Sequence, residues 1–369
     1  MTTWIEISAT NLKHNIQTFK KIIGEKTILA PAVKGNAYGH GLEICAKIMI
    51  KAGTDFLSVF SVEDLERVRK INTKIPILIL GYVKLNELKK AITLNPNFVV
   101  WNTETLENLG QIAKEQKKEI FIHLKLETGN HRYGIDPENI DKYLKLFRKY
   151  PNLKLAGLAS HFANVEDTTD HSYAEQQLQK FTNFCDLIEQ KGFKVKLKHL
   201  SNSAAATLWK KAHFNLVRTG ILNYGLWPSQ EVFKTINLKP VMTWKTIISQ
   251  IREIPENEYI GYGCTYKTTR KTKMAVLPIG YYDGYDRKLS NKGCVLIKGK
   301  RAKILGRICM NVTMVDITDI KNVKLEDEAV LLGKQGTDEI PAEEMASWAN
   351  TINYEITTRI NEKIERIVV

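Results

Sequence analysis

The sequence predicts an α/β chain built in two parts: an N-terminal (β/α)8 TIM-like barrel over residues 1–239 and a C-terminal, mostly-β domain over residues 240–369. Three observations lead there. Apolar, strand-like runs alternate with amphipathic helical runs through the first two-thirds of the chain, which implies parallel pairing through right-handed crossovers. After an initial short strand, eight such strands can be counted, the number that closes a barrel. Beyond Pro240 the strands follow one another without long helices, and glycines punctuate them.

Each element follows from local pattern. Trp4–Ser8 reads as a strand outside the repeating series, free to pair with the β domain. A helix begins near Asn11, with Leu12, Ile16, Phe19 and Ile23 on one face. Strand Thr27–Val33 comes next, then a helix through Ile44–Ala52 and strand Phe56–Phe60. Ser61 and Asp64 form a capping-box pattern at the start of the following helix. Strands Ile77–Tyr82 and Phe98–Trp101 each precede a helix, the second starting after Thr103. Strand Ile120–Glu127 is followed by Asp136-Pro137, a cap and first-turn pair. Strand Leu155–Phe162, the long helix Glu175–Gln190, strand Lys196–Leu200, helix Ala204–Lys210 and strand Asn215–Leu222 complete the series. The last helix of the barrel is placed in Ser229–Leu238. In the second part the strand-like runs are Val241–Ile251, Met274–Ile279, Cys294–Ile297, Ala302–Arg307, Thr313–Ile317 and Ala329–Leu332. One short helix, Ala342–Ala349, interrupts them before Tyr354–Ile360.

Composition narrows the class. The chain has 369 residues, 43% hydrophobic and 25% charged, enough for two domains around a substantial core. A formal charge of +14 raises the question of nucleic acid or anionic membranes. The lysines are scattered among acids with no run of five like charges, so the basic balance reads as a solvated surface. Five cysteines, an odd number without a C-x-x-C pair, argue against a disulfide framework and a zinc site and for a reducing compartment. The first residues lack a signal-peptide pattern, and no apolar run approaches the roughly 20 residues of a membrane helix. A cytoplasmic enzyme is expected, with no metal, no nucleic-acid partner and no membrane association.

Chemistry concentrates at strand ends. Val33-Lys34-Gly35-Asn36-Ala37-Tyr38-Gly39-His40-Gly41 follows the first barrel strand. A lysine there points its amine into the barrel mouth, where barrel active sites lie. Partial burial among cations lowers its pKa, and a neutral amine can condense with an aldehyde. Other strands end in Lys125–Arg132, Ser160-His161-Phe162, Ser201-Asn202-Ser203 and Val217-Arg218-Thr219-Gly220-Ile221. In a barrel these ends converge, and phosphate sites often form in the loops after the last two strands, where Ser203, Gly220 and Ile221 stand.

On these stretches, together with Gly261–Tyr266, Pro278–Arg287, Gly306–Asn311 and Ile352–Glu355, the chain resembles alanine racemases of the fold-type III pyridoxal-phosphate (PLP) class over nearly its whole length. The resemblance implies a PLP-dependent isomerase that interconverts L- and D-alanine by two bases and supplies D-alanine for peptidoglycan. Lys34 matches the lysine that holds the cofactor and serves as base on one face of the substrate. Tyr266 matches the base on the opposite face, contributed by a second subunit, which implies a head-to-tail homodimer with composite sites. A tyrosine hydroxyl ordinarily titrates near 10, and the family places cations matching His161 and Arg218 behind it. Arg218 also matches the arginine facing the PLP ring nitrogen. Because arginine stays protonated, that nitrogen stays unprotonated, which weakens the cofactor's pull on electrons and suppresses transamination. Tyr38, Ser203, Gly220, Ile221 and Tyr354 match phosphate-contacting positions. Arg132 matches the residue near the cofactor's phenolic oxygen and the substrate carboxylate, and Lys125 a lysine often carbamylated in the family, which then orients Arg132. Met310 and Asn311 match substrate-contacting positions reached across the dimer, and Tyr285, like Tyr354, matches an entrance tyrosine.

Two departures stand out. Asn311 replaces the family's usual aspartate, which keeps open a broader serine/alanine racemase. Glu127-Thr128-Gly129-Asn130-His131-Arg132 replaces Asp-Thr-Gly-Met-Gly-Arg, which puts His131 where the turn favours glycine. An amino-acid decarboxylase of the same fold class would carry glutamate where Arg218 stands. A non-catalytic PLP carrier would leave residues 240–369, with Tyr266 and Met310, without a role.

Overall fold

The computed structural model describes residues 2–369. Eight parallel strands form the barrel: β2 (Ile28–Leu29), β3 (Leu57–Val59), β4 (Ile77–Ile79), β5 (Asn97–Val100), β6 (Ile120–Lys125), β7 (Leu153–Ala159), β8 (Leu197–His199) and β9 (Leu216–Val217). β3 to β8 pair in sequence order, and β2 pairs with β9. Backbone bonds close the circle. The Val33 N–H donates to Ser58 O at 2.9 Å beside the Ala32–Ser58 bridge, and the Arg218 N–H donates to Ser201 O at 3.2 Å. Most of the buried strand residues are Leu, Ile and Val, so the barrel is a packed core, and its charged groups gather at the C-terminal mouth.

The helices form for readable reasons. In Ala9–Ile23, Leu12, Ile16, Phe19 and Ile23 are all buried, and Ser8 accepts a capping bond from Asn11 N. The Ser61–Asp64 capping box is present in full. Three expectations need correction. No helix forms in Ser229–Leu238, which runs as turns between Pro228 and Pro240. There the Ser229 hydroxyl donates to Glu166 O and accepts from Val232 N, and the Thr235 hydroxyl donates to Val232 O, so local side-chain bonds and a tie to a distant loop hold the segment as turns. The run Val241–Ile251 is two strands, because the chain leaves one sheet for another at Ile248-Ser249. Tyr354–Ile360 is largely helical (Asn353–Thr358). Its β-branched residues suggest a strand, but Ile356 and Ile360, four apart, are both buried, and that spacing suits a helix.

The first strand, β1 (Thr3–Ile7), belongs to the second part of the molecule. It pairs antiparallel with β10 (Met242–Ile247) and parallel with the last strand. The remaining strands are β11 (Gln250–Ile254), β12 (Tyr259–Ile260), β13 (Tyr266–Lys267), β14 (Thr272–Leu277), β15 (Cys294–Ile297), β16 (Lys300–Lys303), β17 (Thr313–Asp316), β18 (Glu328–Gln335), β19 (Asp338–Ile340) and β20 (Glu365–Val368). The main sheet runs β16-β15-β18-β10-β1-β20 with β19 on β18; β11-β14-β17 and β12-β13 form smaller sheets.

Candidate active site

Lys34 opens a single left-handed turn that local pattern gave no reason to expect. Gly35, Asn36, Ala37 and Tyr38 have φ of 59°, 51°, 54° and 54°. Left-handed backbone costs a non-glycine residue about 1–2 kcal/mol, so three in succession require firm support. The Asn36 side-chain oxygen accepts from Leu42 N at 2.8 Å and from Arg67 at 3.1 Å. The His40 ring meets the Ala37 and Tyr38 carbonyls, both at 3.0 Å, and stacks on Tyr224, whose hydroxyl donates to Ala32 O at 2.8 Å. The turn thereby aims Lys34 and Tyr38 into the barrel mouth.

The mouth is one cleft with two halves that share Lys34, Leu80, His161 and Arg218. One half holds Tyr38, Ser203, Gly220, Ile221 and Tyr354. Ser203 Oγ accepts from Gly220 N at 2.6 Å, and a Cβ on Gly220 would stand 2.6 Å from the Tyr38 hydroxyl, so glycine keeps this cradle open. The other half holds Lys125, Arg132, Tyr133, Trp101 and His199. Tyr133 stacks on Trp101, with ring centroids 4.3 Å apart. His131 takes the left-handed φ, 51°, so the turn before Arg132 survives without glycine. Glu127 holds that loop, accepting from Gly129 N at 2.5 Å.

Burial and the guanidiniums of Arg132 and Arg218 lower the basicity of the amines and imidazoles around them. Burial, then Arg132 and Arg218, lowers the Lys34 pKa from its ordinary value. Burial, then the same two arginines, holds Lys125 well below its own. Arg218 is pushed down to about 10 by burial and remains protonated at neutral pH. His161 is held well below its usual value, first by burial and then by surrounding cations. The expected cationic pair behind the second base is therefore corrected: Arg218 is the cation and His161 is neutral.

Two site residues escaped the sequence. Arg218 donates to the Ser160 carbonyl at 2.7 Å, the His199 carbonyl at 3.1 Å and His199 Nδ1. Since that nitrogen accepts, His199 Nε2 carries the hydrogen and donates to His123 Nδ1 at 2.7 Å. Gly157 makes room, because a Cβ there would strike the His123 ring. The signal was period-two alternation: His123 and Lys125 are two apart on β6 and share its inward face.

Apart from Ile352 and Tyr354, the residues of the β domain are elsewhere. No residue between 229 and 351 lines the cleft. Tyr266 lies half-buried on β13 against Ile260, Met274, Leu305 and Met314, while Met310 and Asn311 are exposed. Tyr285 is fully buried, edge-on to Trp244 at 5.7 Å, with its hydroxyl unpartnered. An entrance role for Tyr285 is overturned, because a sealed ring lines no opening. Tyr281 and Tyr282 are the exposed tyrosines of that run.

Comparison with known proteins decides the family. Residues 7–228 match the family described as alanine racemase, N-terminal domain, and residues 241–368 its C-terminal domain. The chain belongs to the alanine racemase family. An alanine racemase of Leptospira interrogans is 39% identical, covering 100% of this chain and 96% of that one, and one of Methanococcus maripaludis is 38% identical over 99% and 98%. Among solved structures, alanine racemase of Clostridium difficile 630 superposes with a TM-score of 0.94 at 33% identity, covering 100% of this chain and 96% of that one. Alanine racemase of Bacillus anthracis with bound L-Ala-P gives 0.94 at 31% identity, covering 100% and 95%. Family members are PLP-dependent isomerases that interconvert the enantiomers of alanine. This donor set fits such a cofactor: an amine of lowered basicity, a glycine-opened cradle rimmed by hydroxyls, and a buried arginine. Among the described residues no helix is long and apolar enough to cross a membrane, and no cluster of side chains suits a metal.

Proposed function

We propose that Lys34 and Tyr266 are the two bases of an alanine racemase whose sites form between two copies of the chain. The observation that carries this reading is the convergence of Lys34, Lys125, Arg132, His161 and Arg218 on one cleft, with the basicity of both lysine amines lowered by their surroundings. PLP, when bound, acidifies the substrate Cα–H. Lys34 holds the cofactor and exchanges a proton with Cα on one face. Tyr266 of a second copy exchanges one on the other face, so a proton taken from one side is replaced from the opposite side. Tyr38, Ser203, Gly220, Ile221 and Tyr354 hold the phosphate through hydroxyls and backbone N–H groups. Arg218 meets the ring nitrogen as a donor only, and its bonds to Ser160 and His199 fix its plane.

Arg132 takes the substrate carboxylate, joined by the Met310 backbone N–H and Asn311 of the second copy. The Lys125 amine, its basicity lowered by burial, reacts in its unprotonated form with carbon dioxide: its nitrogen bonds to the carbon, one proton leaves to water, and the resulting anion orients Arg132. A native mass without added carbon dioxide in bicarbonate buffer sinks that step. The exposed run Tyr262, Tyr281, Tyr282 and Met310 supports a second copy covering this face. We place the domain boundary at Lys239-Pro240, with β1 lent to the second domain. Five free thiols support a cytoplasmic setting. Asn311 favours activity on serine as well as alanine as a second reading.

Borohydride reduction followed by peptide mapping tests the reading. A reduced pyridoxyl tag is expected on Lys34 and lost in Lys34→Ala, and a tag on any other amine overturns it.

A further inference from the structure

The left-handed turn at Lys34 is gripped from the far end of the chain. Arg366, on β20, donates through Nε and Nη2 to the carbonyl of Gly39, at 3.3 and 3.1 Å. Its Nη1 donates to Asn361 O at 2.8 Å, Glu362 O at 3.0 Å and Ile364 O at 2.5 Å, and Nη2 reaches Ile360 O at 3.4 Å. No carboxylate of the described residues lies within ion-pair distance of this guanidinium. A half-buried cation that bonds carbonyl oxygens on two segments joins those segments. Arginine alone has the planar fork to hold one carbonyl twice while satisfying a second group.

The grip falls at a sensitive place. Gly39 has φ 85° and closes the turn, its N–H donating to Gly35 O at 2.9 Å. A Cβ on Gly39 would run into the Thr357 carbonyl, in the helix that carries Tyr354. Gly41, at φ 97°, lies against the stem of Arg366, where a Cβ would meet Cγ at 3.5 Å. Residues 39–41 are thus laid over the Arg366 side chain along its length.

We propose that Arg366 is a positioning residue for the cofactor loop: by holding the Gly39 carbonyl, it fixes the turn that aims Lys34 and Tyr38 into the cleft. The inference rests on Lys34 being the cofactor lysine, and the borohydride mapping tests that assignment separately.

The test compares Arg366→Met with Ile367→Ala, which loosens β20 without touching Gly39. Two readouts apply: the cofactor's apparent Kd, from its absorbance on titration into apoprotein, and amide hydrogen exchange of residues 35–41 in the apoprotein, which is independent of where the cofactor binds. Arg366→Met is expected to raise Kd at least tenfold and speed exchange at Ala37 and Gly39 by a similar factor. Ile367→Ala, at equal loss of melting temperature, is expected to change both less than twofold. If Arg366→Met does not fold, Arg366→Lys decides by the same criteria. Wild-type Kd and exchange in the arginine variant overturn the proposal, and so does an equal effect of Ile367→Ala.

Discussion

At the scale of single residues, much of this protein's pH behaviour resides in buried neutral imidazoles. Burial lowers His40 to about 4 and His123 to about 3. The sign follows from linkage. A histidine whose folded value lies below its ordinary 6.5 stays neutral in the fold but protonates in the unfolded chain. Its contribution is present above about 6.5 and is lost as pH falls toward 4. At 1.36 kcal/mol per unit, His40 alone accounts for roughly 3 kcal/mol. Urea unfolding at pH 7, 6 and 5 is expected to show a steep loss in the wild type and a shallower one in His40→Asn. Equal slopes would remove His40 from the account. Single residues were also where the sequence was most informative: Lys34, Arg132, His161, Ser203 and Arg218 line one cleft. The sequence does not mark His199 and His123, because a histidine inside a strand looks like an ordinary core residue until its register is known.

At the scale of elements, strand order and the barrel helices up to residue 208 were legible, because apolar periodicity reports which face is buried. Local pattern failed where other segments decide the conformation. The left-handed turn at residues 35–38 is held by His40, Asn36, Arg67 and Arg366, three of them outside the turn. The loop of Arg132 is a similar case. It is anchored by the Tyr133–Trp101 stack, and the Tyr143 hydroxyl donates to the Trp101 carbonyl at 2.9 Å. Aromatic stacking of this kind contributes about 0.5–1.5 kcal/mol. Tyr133→Leu is therefore expected to raise KM for alanine about threefold to tenfold while kcat changes less than twofold. A fall in kcat with KM unchanged would show that the stack serves something other than carboxylate binding.

At the scale of the whole molecule, sequence showed which residues matter and a single chain shows that they do not all meet. Tyr266, Met310 and Asn311 lie outside their own chain's cleft, a separation that local periodicity does not encode. Subunit mixing tests the composite site. Lys34→Ala and Tyr266→Phe are each expected to be inactive. Unfolded together and refolded one to one, half the dimers pair unlike chains, and each has one intact site, restoring about a quarter of wild-type activity. No recovery would place both bases within one chain.

The seating of β1 between β10 and β20 bears on how the polypeptide is made. Strand β1 has neither of these neighbours until residues 242–247 appear, and its second edge stays bare until residues 365–368 follow. Almost the entire barrel can assemble while its leading segment waits. The carbonyl grip on Gly39 arrives with that same strand, so the loop that receives the vitamin is secured only after residue 366 has been made.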